Sequence, residues 1–210
     1  MSIKENVYTA ETTLGTLAVK GRSEFQPTAP GDIPDPLGVA YAMEFLLNGE
    51  KFSEIEVTQI TKDEEQGFSE DTAVLYCDSQ SEELGEIAFQ LFDNGVTRPN
   101  MPIDTFLLLS SLDFVAKQPK LVMECVKGVF AVQHCLDAEH PARYMTFLAD
   151  EKTPEFDLLK AAGIPFFYCV EPMCLTEDTA IAFYDCNAFK SELVRNRMEK
   201  IEETPKAKAE

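Results

Sequence analysis

Two acids and a lysine in the second half of the chain could together hold a divalent metal ion and activate water. Asp150 and Lys152 are separated by one residue and follow the apolar segment 144–148, and Asp137 lies upstream of that segment. Carboxylate oxygens are ligands that hard divalent cations prefer, and a metal ion in such a site generates a water-derived nucleophile. These residues therefore point to metal-assisted hydrolysis if the fold brings Asp137 beside Asp150.

The order of these residues resembles the catalytic core of the PD-(D/E)xK nucleases. In that family an acid is followed by an acid-x-Lys triplet at the end of a strand. The resemblance implies that Asp137 and Asp150 are metal ligands and that Lys152 stabilises the attacking water or the developing charge. The proline that usually stands beside the first acid is absent, because Leu136 precedes Asp137. The alternative is a polar loop whose acids complement the dipole of the helix that follows.

The cysteines offer a second, thiol-based chemistry. Cys169, Cys174 and Cys186, with the His134-Cys135 pair, contain the ligand types of a zinc site. Their spacing does not match a zinc knuckle, and cysteines in apolar segments more often pack as small hydrophobic residues. Neither a glycine-rich nucleotide-binding motif nor a Gly-x-Ser-x-Gly motif occurs, so we expect no cofactor.

The charge of the chain limits its partners. Its 210 residues include 37 acidic and 18 basic side chains, which gives a net charge of −19. Such a surface repels nucleic-acid backbones and anionic membranes, so we expect neither as a direct partner. The excess is uneven, with a net charge of −13 over residues 1–100 and −6 over residues 101–210.

The segment 50–83 has eleven acids and two bases. Alternation along a strand predicts that Glu50, Glu54 and Glu56 share one side. We interpret these acids as part of an acidic face for a basic protein partner, while a solvated face that keeps the protein soluble is the alternative. The predicted binding residues are Glu50, Glu54, Glu56, Asp63, Glu64 and Glu65.

The elements that position these residues change in type near residue 100. The first part is predicted to form strands over 7–10, 17–19, 39–47, 50–60, 72–77 and 86–92, with a proline-rich extended loop at 27–36. Asn48-Gly49 is typical of a type I′ turn between two strands. A helix over 36–48 that ends at Gly49 is the alternative.

The second part is predicted to alternate helices and strands. Helices are expected over 105–116, 120–136, 154–162 and 188–201, and strands over 144–148, 164–170 and 180–184. Because a short helix joins the strands at 144–148 and 164–170, these two strands are predicted to pair in parallel.

The predicted fold class is α+β, with a strand-rich antiparallel N-terminal part packed with an α/β C-terminal part that contains a βαβ unit. We expect one globular unit over residues 1–203, divisible into subdomains 1–100 and 101–203, and a disordered tail at 204–210. The first residues lack an apolar leader, which favours a cytoplasmic protein with reduced cysteines.

The favoured function is a non-enzymatic interaction protein that binds a basic protein partner through its acidic N-terminal face. A metal-dependent hydrolase that uses Asp137, Asp150 and Lys152 is the alternative. The sequence leaves the oligomeric state open.

Overall fold

The computed structural model describes residues 2–25, 38–63, 65, 67, 69–93, 103–168 and 179–186. The elements are β1 (Ser2–Thr12), β2 (Gly15–Phe25), β3 (Gly38–Leu47), β4 (Glu50–Asp63), α1 (Glu70–Gln80), α2 (Glu82–Asp93), β5 (Ile103–Leu109), α3 (Asp113–Lys117), α4 (Val122–Leu136), β6 (Tyr144–Asp150), α5 (Pro154–Ala161), β7 (Phe166–Tyr168) and β8 (Thr179–Asp185). A 3-10 turn at Pro119–Leu121 joins α3 to α4.

In the described part of the chain the strands form one mixed sheet, in the order β1-β2-β3-β4-β5-β6-β8-β7. Neighbours from β1 to β5 are antiparallel, β5 and β6 are parallel, and β8 is antiparallel to both β6 and β7. Helices and strands thus share one mixed architecture, and the predicted α+β class is confirmed at that level.

The turn between β3 and β4 is the one predicted from Asn48-Gly49. Both residues have positive φ, 53° for Asn48 and 85° for Gly49. A type I′ turn requires positive φ at both central positions, which asparagine and glycine tolerate. The hairpin over residues 38–63 is therefore confirmed, and the alternative helix is wrong.

Helices cover the sheet on both faces. One buried cluster joins the sheet to α3, α4 and α5, and the other joins it to α1 and α2. Neighbouring residues of β5 point to opposite faces, so Leu107 belongs to the first cluster and Phe106 to the second. A central strand that is buried on both faces needs a continuous apolar run, and β5 supplies one in Phe106–Leu109.

Helix α4 packs across β1 and β2. Its residues Cys125, Val129 and Val132 are buried at helical spacing, as predicted. Gly128 allows a close approach, because a Cβ atom there would lie 2.4 Å from Cγ2 of Val19. The spacing of apolar residues thus sets which side of α4 faces the sheet, and Gly128 sets how near it comes.

The predicted strands at 72–77 and 86–92 are wrong, since these segments lie in α1 and α2. The backbone N–H of Thr72 donates to the side chain of Ser69, which caps α1. In α2 the buried residues Ile87, Ala88 and Leu91 follow a helical period. Apolar runs that contain β-branched or aromatic residues suit both structures, and here the helix cap and the period decide.

The predicted helix over 105–116 is also wrong, because residues 103–109 form β5 and only Asp113–Lys117 are helical. A short apolar run that is buried on both faces gives no periodic signal to separate a strand from a helix.

The expected parallel partner of β6 differs from the observed one. The neighbours of β6 are β5 and β8, and β8 separates β6 from β7. The strands β6 and β7 still run in the same direction, because both are antiparallel to β8. Helix α5 ends within one residue of the predicted end at 162, and Gly163, with a φ of 81°, follows it. The predicted loop at 27–36, helix at 188–201 and tail at 204–210 lie outside the described residues.

None of the helices described above combines the length and the apolar character needed to cross a bilayer.

Candidate functional site

The predicted row of acids on β4 is interrupted by a lysine. Residues Glu50, Glu54 and Glu56 are exposed, as expected. The register with β3 shifts between Phe45 and Leu46, so one additional residue of β4 opposes β3 at this point. Beyond such a bulge the alternation of side chains between the two faces of the sheet is shifted by one residue. Lys51 therefore lies on the same face as Glu54, and Glu50 lies on the opposite face.

Lys51 neutralises this part of the sheet. Its Nζ atom lies 3.3 Å from Oε1 of Glu44 and also contacts Oε2 of Glu54. The hydrogen bond from Lys51 lowers the pKa of Glu54 and raises that of Lys51. Lys20 lies opposite Glu44 on the neighbouring strand. The outer side of β2, β3 and β4 therefore carries charges of both signs.

The other acids of the predicted face lie at the end of β4. Asp63 is the last residue of that strand, and Glu65 is exposed in a short turn. The side chain of Asp63 and residue Glu64 lie outside what the structure describes.

A second group of acids lies on the α1–α2 pair, where Glu70 pairs with Lys62 of β4 at 2.9 Å. Residues 70–93 include seven acids and no lysine, arginine or histidine. On α1, Asp71, Leu75 and Asp78 are exposed and spaced by four and three residues, so they share one face. On α2, Glu82 and Phe89 are exposed and seven residues apart. We call these five side chains the acidic hairpin surface.

Two residues of this surface are large and apolar. In the described part of the chain three large apolar side chains are exposed, and two of them are Leu75 at 69% and Phe89 at 45%. The helices approach closely where Gly85 meets Asp78, since a Cβ at Gly85 would lie 2.8 Å from Cα of Asp78. Exposed apolar residues surrounded by charge are typical of an interaction surface.

Asp137 belongs to a buried polar network. It follows the last turn of α4, and its Oδ2 atom accepts a hydrogen bond from Nε2 of Gln59 at 2.9 Å. Its Oδ1 atom accepts from the backbone N–H of His140 at 3.1 Å. Gln59 in turn accepts from the hydroxyl of Tyr41 at 2.7 Å and from Nε2 of Gln133 at 2.6 Å. This network ties α4 and the loop that follows it to the sheet.

Asp150 and Lys152 lie at the other end of β6. Oδ1 of Asp150 accepts from the backbone N–H of Lys152 at 2.8 Å, and both side chains are exposed. Asp137 contacts Gln59, which lies level with Leu107 and Met145 across the sheet, and Asp150 is five residues further along β6, about 16 Å of strand. The structure does not bring the two acids together. Within the described ranges no three His, Cys, Asp or Glu side chains are grouped closely enough to hold a metal ion.

The described cysteines are dispersed in the same way. Cys77 and Cys125 are buried in different clusters, and burial raises the pKa of each thiol to about 12. Cys135 is exposed, and Cys186 is buried at the end of β8. Nε2 of His134 lies 2.7 Å from the carbonyl oxygen of Ala142. Cys169 and Cys174 fall outside the described residues.

Comparison with known proteins adds no family: no family model, no curated protein and no solved structure matches the chain.

Proposed function

We propose that this protein is an interaction protein that binds a basic protein partner through the acidic hairpin surface. The observation that carries the proposal is the combination of exposed Leu75 and Phe89 with three exposed acids, Asp71, Asp78 and Glu82, in a stretch of sequence, 70–93, that contains no base. The acids favour a basic partner by charge complementarity. The two apolar side chains add affinity because a partner would remove them from water. A matching partner presents apolar side chains flanked by lysine or arginine.

The acids of β4 play a smaller part in this proposal than the sequence predicted. Lys51 contacts Glu44 and Glu54, so a basic partner would have to displace it there. On the acidic hairpin surface a partner meets Asp71, Asp78 and Glu82 around apolar side chains. Association should therefore be centred on α1 and α2.

The test uses a defined probe and changes the apolar residues. We expect a synthetic amphipathic helical peptide with leucine on one face and lysine on the other to bind the wild-type protein. The double variant Leu75→Ser/Phe89→Ser should bind about tenfold or more weakly, because burial of the two side chains together is worth at least about 1.4 kcal/mol. Fluorescence polarisation of the labelled peptide measures the affinity.

The matched control is Leu14→Ser, which removes the third exposed apolar side chain, 38% exposed at the β1–β2 turn. This variant should bind as the wild type does. Replacing the peptide lysines by glutamates should abolish binding, and raising the ionic strength from about 0.05 M to about 0.3 M should weaken it. Equal affinities for the wild type and the double variant, or an affinity indifferent to salt, would contradict the proposal.

A further inference from the structure

The parallel strands β5 and β6 separate after three residue pairs. Their pairing runs from Phe106 opposite Tyr144 to Leu108 opposite Thr146. Beyond this point β5 stays with β4, where the backbone N–H of Ser110 donates to the carbonyl oxygen of Glu56 at 3.0 Å. Over residues 147–150 β6 stays with β8. Each strand is thus held by its outer neighbour, and the sheet opens between them.

The opening is a cleft of about 410 Å³ at the carboxyl ends of both strands. Its walls come from the end of β5, the loop before α3, the end of β6 and the start of α5, and Leu84 and Ile87 of α2 also line it. Small-ligand sites usually have volumes of this order. In sheets with parallel strands, ligands bind outside the carboxyl ends of strands whose connections diverge.

The β6 side of the cleft is a strand edge. Among the described strands, none pairs with the residues 147–150 of β6 on the side of β5. A strand edge presents backbone N–H and C=O groups at regular spacing, and an extended peptide can pair with them. Four residues of such a peptide span about 13 Å.

The polar lining gives the cleft a negative charge. Asp113, Asp150 and Glu155 line it, together with the hydroxyl-bearing residues Ser111 and Thr146. No basic side chain from the described residues is part of the lining. Asp113 already pairs with Lys117 at 2.7 Å, so Asp150 and Glu155 determine which charge a ligand must carry.

We propose that this cleft binds a short basic peptide in extended conformation. The peptide backbone pairs with residues 147–150 of β6, and a lysine or arginine side chain lies against Asp150 and Glu155. This site is separate from the acidic hairpin surface, whose residues Leu75 and Phe89 do not line the cleft. It goes beyond the proposed function and can be tested independently of it.

The probe is acetyl-Ala-Lys-Ala-Lys-amide, and binding is measured by NMR titration of the full-length protein. We expect resonance shifts at the amides of 147–150 and slower hydrogen exchange there. The variant Ser111→Trp places an indole in the cleft from an exposed position and should weaken binding about tenfold or more. The control Thr13→Trp makes the same change at an exposed residue of the β1–β2 turn and should leave binding unchanged.

Further comparisons separate backbone pairing from charge alone. A peptide that is methylated on the backbone nitrogens of both lysines lacks two N–H donors and should bind about fivefold or more weakly. Spermidine, which has charge but no amides, should bind more weakly than the peptide. Asp150→Asn keeps an oxygen for the hydrogen bond from Lys152 and should lower affinity for the peptide about tenfold, because the peptide lysine loses its charged partner.

The proposal is overturned if Ser111→Trp, shown by circular dichroism to be folded, binds the peptide as the wild type does. It is equally overturned if N-methylation has no effect or if spermidine gives the same shifts with the same affinity. If Ser111→Trp does not fold, the N-methylated peptide and Asp150→Asn decide. Because Leu75→Ser/Phe89→Ser leaves the cleft intact, failure of the acidic hairpin surface would not change these results.

Discussion

The hydrogen bonds of Asp137 define a structural role for this residue. Its carboxylate accepts from Gln59 and from the backbone of His140, and Nδ1 of His140 lies 3.3 Å from its Oδ2. Burial raises the pKa of Asp137, but the hydrogen bonds from Gln59 and His140 outweigh it, so the pKa is lowered. Gln133 closes the network by donating to the carbonyl oxygen of His140 at 3.0 Å. A charged acceptor here holds the loop between α4 and β6 on the sheet.

We predict that Asp137→Asn lowers the free energy of unfolding by about 1–2 kcal/mol at pH 7, because a charged acceptor becomes a neutral one. A carboxyl whose folded-state pKa lies below its unfolded-state value adds stability above the unfolded-state value. That stability is lost as the pH falls through the folded-state pKa. The wild type should therefore lose its advantage over the variant as the pH falls from about 5 to about 3. Urea unfolding at a series of pH values measures this difference.

The control for this prediction is Glu139→Gln, which changes an exposed acid in the same loop. Its stability should follow that of the wild type at each pH. A difference between Asp137→Asn and the wild type that stays constant with pH would show that the charge of Asp137 is not what stabilises the loop.

At the scale of elements, the contact of α4 with the β1–β2 hairpin depends on Gly128. A Cβ atom at this position would lie 2.4 Å from Cγ2 of Val19 and 3.0 Å from the ring of Tyr8. We predict that Gly128→Ala destabilises the protein by about 1–3 kcal/mol, because overpacking outweighs the better helix propensity of alanine. Chemical denaturation measures the change.

Val19→Ala provides the test of this cause, since it removes the methyl group that the new Cβ would meet. In that background Gly128→Ala should cost less, with a coupling energy of about 0.5–3 kcal/mol. If the two substitutions add without coupling, close packing of α4 on β2 is not the reason for a glycine at this position.

Elements could be predicted from the sequence where a local signal is unambiguous. Asn48-Gly49 predicted its turn because few pairs of residues tolerate a positive φ angle at two successive positions. The helical character of α1 and α2 was present in Ser69 as a cap and in the spacing of apolar residues, but alternation gave a competing interpretation. The bulge that moves Lys51 beside Glu54 has no sequence signal of its own, because it depends on the pairing of β3 with β4.

At the scale of the molecule, the candidate sites depend on which strands become neighbours. The cleft forms because β5 pairs with β6 although α3 and α4 lie between them in the chain, and because β8 lies between β6 and β7 in the sheet. The sequence predicts the acids at the end of β6 but contains no local signal for these neighbours. The acidic character of the N-terminal half was visible from composition. Which acids lie beside a base depends on the folded structure, since Lys51 contacts Glu44 and Glu54 and Lys62 contacts Glu70, whereas Asp71, Asp78 and Glu82 are exposed on α1 and α2.

The net charge of −19 predicts a protein that added salt stabilises. Repulsion among like charges destabilises the compact state, and salt screens it over about 10 Å at 0.1 M. We expect the melting temperature to rise between about 0.02 M and about 0.5 M sodium chloride. The rise should be smaller in the triple variant Asp71→Asn/Asp78→Asn/Glu82→Gln, because these exposed acids lie where the sequence from 70 to 93 has no base.

A second triple variant removes the same amount of charge from a different place. Glu5, Glu44 and Glu54 lie near cations, with Glu5 opposite Arg22 across β1 and β2 and the other two in contact with Lys51. Their replacement by glutamine should leave the response to salt as large as in the wild type, since attraction to Lys51 and Arg22 is lost together with repulsion. Thermal unfolding followed by circular dichroism compares the three proteins. Equal salt responses for the two triple variants would show that net charge, rather than its concentration on α1 and α2, controls the effect.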